Sequence, residues 1–346
     1  MNENIYYDGT KLLSMLDING NKPEIYICTS NRSAGKTTYF GRMLVNRFKK
    51  QQKKFMIVYR FNYELDDCAD KFFKELKVLF FNDDIMTNKR RMHGIYHELY
   101  LNDEHCGYAV SLNNSDQIKR NSHLFADTDS MFFDEFQSET NHYCSDEVTK
   151  FVSVHTSVAR GGGKQVRYLP VYMLGNHVTM LNPYYIEMDI ATRLTENTKF
   201  LRGEGFVLEQ GFNLNAEQAQ KESAFNKAFS RNSYTMYASE GVYLNDNKAF
   251  IDKPKGNSRY ICTLKYKNNE YGIREYLDAG VVYCDDKSDS TFSTKITVTT
   301  DDHEINYIML RRNDLFLSTL RYYFEKGCFR FKDLKCKEAV LKALSY

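Results

Sequence analysis

Ser30-Asn31-Arg32-Ser33-Ala34-Gly35-Lys36-Thr37 joins a short apolar run to a helical pattern. It fits GxxxxGK[ST], except that Ser30 stands in place of the first glycine. The residue types dictate the chemistry. A tight turn from strand to helix aims successive backbone N–H groups at one point, which suits an anion. Gly35 permits close backbone approach. Lys36 is long enough to reach the β- and γ-phosphates of ATP, and the Thr37 hydroxyl suits Mg²⁺. The spacing predicts a strand over Glu24–Thr29, a nucleotide-binding loop from Ser30 to Thr38, and a helix from about Thr38 to Gln52. A chance GKT in a turn would not require that strand and that helix.

A second segment fits the first. Ser130-Met131-Phe132-Phe133 is an apolar strand that ends in Asp134-Glu135. Such a strand delivers Asp134 to the magnesium shell and sets Glu135 to activate a water. Gly175-Asn176 ends another strand, where an amide can sense a γ-phosphate. Arg32 lies inside the loop and is placed to contact the γ-phosphate of its own chain. Arg160 precedes Gly161-Gly162-Gly163, a segment able to present it to a neighbour's nucleotide. Arg167 is the reserve candidate, with a surface salt bridge as its ordinary role.

The chain has 346 residues, which predicts two domains and a small connector. With 42% hydrophobic residues there is enough apolar material for real cores. The formal net charge of +2 leaves nucleic-acid contacts to local patches, not to a global field. None of the eight cysteines forms a CxxC pair, so free and mostly buried thiols in a reducing compartment are expected. No apolar run approaches the roughly 20 residues that span a bilayer, and the polar start lacks a leader-like core. No membrane partner is therefore expected.

Strands alternate with helices through the first half, which argues for a mainly parallel α/β sheet. Lys53–Arg60 contains an expected strand, Phe55–Tyr59, followed by a helix over Asp66–Lys77 and a strand over Val78–Phe81. A hairpin should turn at Asn102-Asp103, and Val166–Leu174 should form a strand. Ala216–Phe229 reads as one helix. A boundary falls near Pro254-Lys255-Gly256-Asn257. Beyond it, Tyr260–Tyr266, Tyr271–Leu277, Val281–Cys284 and Lys295–Thr299 read as strands. Asn313–Glu325 and Leu334–Ser345 read as helices.

The motifs together resemble the DNA-packaging ATPases (DNA encapsidation proteins) of small phi29-like tailed phages, a compact branch related to terminase large subunits. The resemblance rests on Asn31 to Thr37, Val58 to Glu64, Phe132-Phe133-Asp134-Glu135-Phe136, Val158-Ala159-Arg160, and Leu174 to Tyr185. It implies an additional-strand, conserved-glutamate ATPase domain over 1–195, a connector over 196–255 and an RNase H-like domain over 256–346. It also implies a homo-oligomeric ring, a pentamer in this family, on the portal of a viral procapsid in the host cytoplasm. That ring drives double-stranded DNA inward, in some relatives with a structural RNA. By position, Lys36 and Thr37 would bind phosphate and Mg²⁺, Glu135 would polarise the water, Asn176 would couple hydrolysis to movement, and Arg160 would be the finger acting in trans.

In large terminases the RNase H-like domain is a two-metal nuclease, which needs acids converging from several strands. Here the strand expected to carry the first acid, Tyr260–Tyr266, contains none. Asp285, Asp286, Asp301 and Asp302 occur later without a complete set, so a non-cleaving domain is expected. The alternatives are a terminase that still cuts through those acids, a helicase-like or signalling P-loop NTPase, and a protein that binds nucleotide without hydrolysis.

Two basic stretches are candidates for nucleic-acid phosphates. One is Arg42, Arg47, Lys49, Lys50, Lys53, Lys54 and Arg60, whose ordinary role is a solvated helix face. The other gathers Arg311-Arg312, Arg321, Lys326, Arg330, Lys332, Lys335, Lys337 and Lys342. His93 and His97 with His105-Cys106 lack a finger spacing, so no zinc is expected. Tyr6 or Tyr7 is placed to stack on adenine or, more simply, to pack on the domain.

Overall fold

The computed structural model describes residues 6–139, 142–160, 165–179, 182–190, 193–194, 198–230, 251–297, 299–309 and 315–344. Gly161–Gly163, Met180-Leu181, Arg311-Arg312 and most of the polar stretch before Pro254 lie outside the described residues. The chain divides into two compact units. The first comprises residues 1–138, 147–177 and 196–242, and the second 139–146, 178–195 and 243–346.

Among the described residues the first unit holds nine strands in chain order. They are β1 (Ile25–Ser30), β2 (Lys54–Tyr59), β3 (Met86–Arg91), β4 (Tyr96–Leu101), β5 (Glu104–Ser111), β6 (Thr128–Phe133), β7 (Val171–Asn176), β8 (Phe200–Gly203) and β9 (Phe206–Gln210). Its helices are α1 (Thr10–Ser14), α2 (Lys36–Gln51), α3 (Cys68–Phe80), α4 (Ser115–Arg120) and α5 (Glu147–Val158). After α6 (Pro183–Glu187), which belongs to the second unit, come α7 (Leu214–Glu222) and α8 (Ala224–Ala228). The sheet order is β3-β4-β5-β2-β6-β7-β1-β9-β8. From β5 through β9 all neighbours run parallel, and β3, β4 and β8 pair antiparallel at the two ends. β7 therefore lies between the strand before the GKT loop and the strand before Asp134-Glu135, as the additional-strand ATPase class requires.

The local causes are legible. β1, β2 and β6 are buried along most of their length, as befits strands covered on both faces. α2 buries Phe40, Gly41, Leu44, Val45 and Phe48 at helical spacing and ends where Gln52 turns left-handed at φ 56°. A Cβ on Gly41 would lie 2.8 Å from Leu76 Cδ1, so this glycine lets α2 and α3 approach. Asn102 and Asp103 take φ of 50° and 66°, the two left-handed residues of a tight hairpin turn.

Four expectations need correction. Val78–Phe81 is not a strand. α3 runs on to Phe80, with Phe81 N–H bonded to Lys77 O at 3.1 Å, and its β-favouring end is exposed, Val78 at 70%. Helix continuation overrides intrinsic preference there. Val166–Leu174 pairs only from Val171, because the earlier N–H groups bond elsewhere: Arg167 to Ala159 O, Leu169 to the Glu24 carboxylate. Ala216–Phe229 is two helices, since Ser223 ends α7 and caps α8 through Asn226 N–H. The expected connector over 196–255 begins instead as part of the first sheet. β9 is buried throughout and satisfies the edge of β1 that β7 leaves open.

The second unit holds β10 (Arg259–Tyr266), β11 (Asn269–Tyr276), β12 (Val281–Asp285), β13 (Lys295–Thr297), β14 (Ile308–Met309) and β15 (Phe329–Phe331). Its remaining helices are α9 (Leu315–Glu325) and α10 (Leu334–Leu344). The order is β14-β13-β10-β11-β12-β15. β10, β11 and β12 form an antiparallel meander, β13 runs parallel to β10, and β14 parallel to β13. This is the order of an RNase H-like sheet with β15 added beside β12. Cys262, Leu264, Ile273, Val282 and Phe331 pack with Leu317, Leu320, Ala339 and Val340 of α9 and α10. The eight cysteines form no disulfide, and seven are buried.

Lys337 on α10 is only 2% exposed, and its Nζ lies 3.2 Å from Thr179 Oγ1. Burial pulls its pKa down to about 7. Between that value and the ordinary lysine range, the unfolded chain holds the proton and the folded unit does not. Stability of the second unit should therefore rise from pH 7 towards pH 10. A thermal melt of the second unit followed against pH should show this rise in the wild type and a flatter profile in Lys337→Met.

Candidate functional site

Three neighbouring strands end together. Ser30 at the end of β1 pairs with Asn176 at the end of β7, and Phe133 at the end of β6 pairs with Met173 of β7. The GKT loop, Asn176 and Asp134-Glu135 therefore gather at one carboxyl edge of the parallel sheet, where ligands of α/β sheets bind. A cleft of about 370 Å³ opens there. Arg32, Ser33, Lys36 and Thr37 line it from the loop, with Asp134, Glu135, Gly175 and Asn176 from the neighbouring strand ends.

The backbone is specialised at this edge. Gly35 has φ of 92° as it caps α2, Ser33 has φ of 60° and Glu135 has φ of 53°. Non-glycine residues in that region cluster at functional sites. Lys36 Nζ donates to Asn176 Oδ1 at 2.6 Å. Burial pushes Lys36 down, and the nearby Asp134 carboxylate is the main pull upward. Burial likewise pushes Asp134 up, opposed by Lys36, the Thr37 hydroxyl and the Glu135 N–H. Glu135 N–H bonds to Asp134 Oδ1 at 2.9 Å, and the Glu135 side chain stays exposed. Thr37 and Asp134 thus offer adjacent oxygen donors, a set that fits a hard cation such as Mg²⁺. Gly175 packs tightly: a Cβ there would lie 3.0 Å from the Phe136 ring, which would have to shift to admit it.

Other expected residues lie apart from the cleft. Ser30 and Asn31 are buried behind the loop, and Ala34 O accepts from Tyr7 N–H at 2.7 Å. Asn31 is turned away, its amide exchanging two bonds with the Asn213 backbone, both at 3.0 Å. Thr38 is half-buried and is not among the lining residues. Arg160 is exposed just past α5 and does not line the cleft of its own chain. Arg167 donates to Val158 O at 2.9 Å and also to Thr128 O, a scaffold role. Tyr7 packs against Tyr39 and Phe40 and donates to Glu209 at 2.6 Å, whereas Tyr6 stays exposed beside Gly35.

The first basic stretch is largely neutralised. Lys49 pairs with Asp84, Lys53 with Asp129, Lys54 with Asp127, and Arg47 donates to the Tyr172 hydroxyl. Arg60 is buried. Its Nε donates to Glu147 at 2.8 Å, and its NH2 group donates to Phe136 O at 2.8 Å and Glu135 O at 3.4 Å. It therefore holds the acidic turn. Sequence reading missed this role, because Glu147 lies far along the chain. It also missed Gln220, Phe225 and Asn226, which line the cleft from α7 and α8. No motif marks them.

In the second unit three of the four later acids are committed elsewhere. Asp285 pairs with Arg274, Asp286 with Lys332, and Asp302 accepts from the N–H groups of Lys267 and Asn268. β10, the strand expected to carry the first nuclease acid, contains none, and its Lys265 pairs with Glu304. Among the described residues no group of three or more His, Cys, Asp or Glu is arranged to hold a metal ion. His97 Nδ1 lies 2.8 Å from the Asn88 amide, and His105 Nδ1 lies 3.0 Å from Lys54 Nζ. In the second basic group Arg330 bonds to backbone carbonyls, Arg321 caps Leu344 O, and Lys342 pairs with Glu187. No helix among the described residues is long and apolar enough to cross a membrane.

Known proteins resemble the chain along nearly its whole length. The chain is similar to the DNA packaging protein of Bacillus phage phi29, 22% identical over 335 residues, 96% of this chain and 94% of that one. Its fold is similar to a chain in the bacteriophage phi29 genome packaging motor assembly. The TM-score there is 0.59, with 20% identity over 98% of this chain and 99% of that chain. A chain of the Phi-28 gp11 DNA packaging motor gives a TM-score of 0.60 at 16% identity, covering 99% of each. The family model for the Podovirus DNA encapsidation protein (Gp16) matches residues 1–344, and the chain belongs to that family.

Proposed function

We propose that this chain is an ATP-driven motor that moves double-stranded viral DNA into a procapsid. One observation carries the reading. Lys36, Thr37, Asp134, Glu135 and Asn176 come from three strand ends and converge on one cleft. In this reading Lys36 holds the β- and γ-phosphates, and Thr37 and Asp134 hold Mg²⁺ when it is bound, neutralising charge on the transferred phosphoryl group. Glu135 orients a water and takes its proton as the water oxygen bonds to the γ-phosphorus and the bond to the β-phosphate oxygen breaks. Asn176 bonds Lys36, so loss of the γ-phosphate is felt at the end of β7. Arg32 adds positive charge from within the chain.

The proposal extends to a homo-oligomeric ring, five subunits by resemblance, on the portal in the host cytoplasm, with structural RNA as a further candidate partner. Arg160, exposed and off its own cleft, suits action on a neighbouring subunit. Its contribution should be about 10³–10⁵ in rate. The paired acids of the second unit argue for a non-cleaving domain.

The test is ATP hydrolysis with and without double-stranded DNA across protein concentration. A motor should hydrolyse faster with DNA and at higher concentration, and doping in Arg160→Ala subunits should depress the rate more than their fraction. Hydrolysis indifferent to DNA, to concentration and to procapsids would refute the reading. Incubation with circular DNA and Mn²⁺ should yield no nicks. Nicking abolished by Asp285→Asn or Asp302→Asn would overturn the non-cleaving assignment.

A further inference from the structure

The segment after β9 is stitched to the phosphate loop at alternate residues. Gly211 N–H bonds to Thr29 O at 2.7 Å. Asn213 N–H bonds to Asn31 Oδ1, and Asn31 returns a bond to Asn213 O. Gln220 Nε2 then donates to Ser33 Oγ at 3.2 Å. Asn226 Nδ2 donates to Gln220 Oε1 at 2.9 Å and to Gln220 O at 2.8 Å. Asn226 is itself fixed, because Ser223 caps its N–H at 3.1 Å.

From Asn226 to Gln220 to Ser33 the donors run in one direction, and the last acceptor lines the cleft. An amide that accepts at its oxygen is a better donor at its nitrogen, and hydrogen bonds in series polarise one another. A hydroxyl that accepts from Gln220 keeps one proton of its own to give. Ser33 lines the cleft beside Lys36 and holds a left-handed backbone at φ 60°. The chemistry that would accept that proton is an anionic oxygen.

We propose that Asn226, Gln220 and Ser33 form a directional hydrogen-bond relay that ends on a phosphate oxygen of the bound nucleotide. Gln220 and Asn226 are then positioning residues, and Ser33 makes the contact. The proposal rests on the nucleotide-binding reading of the cleft. It also makes occupancy of the cleft visible in α7 and α8 of the same chain, since an anion at Ser33 strengthens every bond behind it.

The test uses the full chain with ATP and with a non-hydrolysable ATP analogue, both with Mg²⁺. Gln220→Met keeps the volume and removes the relay, and Ser33→Ala removes its last member. Each should weaken analogue binding by roughly 10–150-fold, the range of one hydrogen bond to a charged group. The double variant should be no weaker than either single. KM for ATP should rise with little change in kcat. Hydrogen exchange across Leu214–Ala228 should slow when the analogue binds wild type and stay unchanged in Gln220→Met. Additive losses, normal binding by either single variant, or exchange that slows equally in Gln220→Met would overturn the relay. A wild-type chain that fails to bind the analogue, as Lys36→Ala should fail, sinks the nucleotide reading itself and the relay with it.

Discussion

Glu135→Gln should lower ATP hydrolysis by roughly 10²–10⁴-fold while the chain still binds ATP. The side chain is exposed at the cleft, whereas its backbone is fixed. Its N–H bonds to Asp134 Oδ1 at 2.9 Å, and Arg60 holds its carbonyl at 3.4 Å. Glutamine has the same shape but cannot take a proton, so binding geometry survives and the proton acceptor is lost. Steady-state hydrolysis and equilibrium ATP binding, measured on one preparation, check both halves. A rate within threefold of wild type would mean that another group activates the water. Loss of binding together with rate would mean that Glu135 shapes the site rather than acting on water. Lys36→Ala is the contrasting variant, since it should lose binding.

The second large effect concerns Arg60. Its side chain is 9% exposed and that of its partner Glu147 is 1% exposed. The pair is buried, and the guanidinium also covers the Phe133 ring at 5.8 Å. Removing one member leaves a buried charge without its counter-ion, which costs about 3–5 kcal/mol. Arg60→Ala should therefore destabilise the first unit by that amount in urea unfolding. It should also slow hydrolysis, because the turn that presents Glu135 loses its anchor. The double variant Arg60→Met with Glu147→Met should recover most of the stability, as apolar replacements of buried ion pairs often do. It should not recover the rate, since the Arg60 bonds to the Glu135 and Phe136 carbonyls are lost. Arg60→Lys should fail on both counts, because a single ammonium cannot replace a planar fork. A loss below 1 kcal/mol for Arg60→Ala would show that the turn is held by other contacts.

The first basic stretch shows why charge patterns mislead without tertiary structure. Arg42, Lys49, Lys53, Lys54 and Arg60 read as a polycationic run only because their partners lie elsewhere in the chain. Asp84, Asp127, Asp129 and Glu147 neutralise four of them, and Arg42 lies over the Phe80 ring. A surface so paired gives up little to DNA phosphates, because binding there would first break bonds already made.

By itself the sequence determined the parts whose causes are local. The turn that becomes the phosphate loop needs a glycine with φ of 92° beside Lys36-Thr37, and those residues are contiguous. The apolar run before Asp134-Glu135 and the hairpin turn at Asn102-Asp103 are equally local, so they too were readable. The tertiary structure alone decided what depends on residues brought together from afar. The apolar run at Phe206–Gln210 reads as connector until the open edge of β1 accepts it. Arg60 reads as surface charge until Glu147 and two carbonyls surround it. Gln220 and Asn226 carry no motif, because a lone amide has no spacing rule and its meaning lies in its partner. The physical reason is the range of the forces: backbone sterics act over a few residues of sequence, whereas burial and hydrogen bonding act over a few ångströms of space.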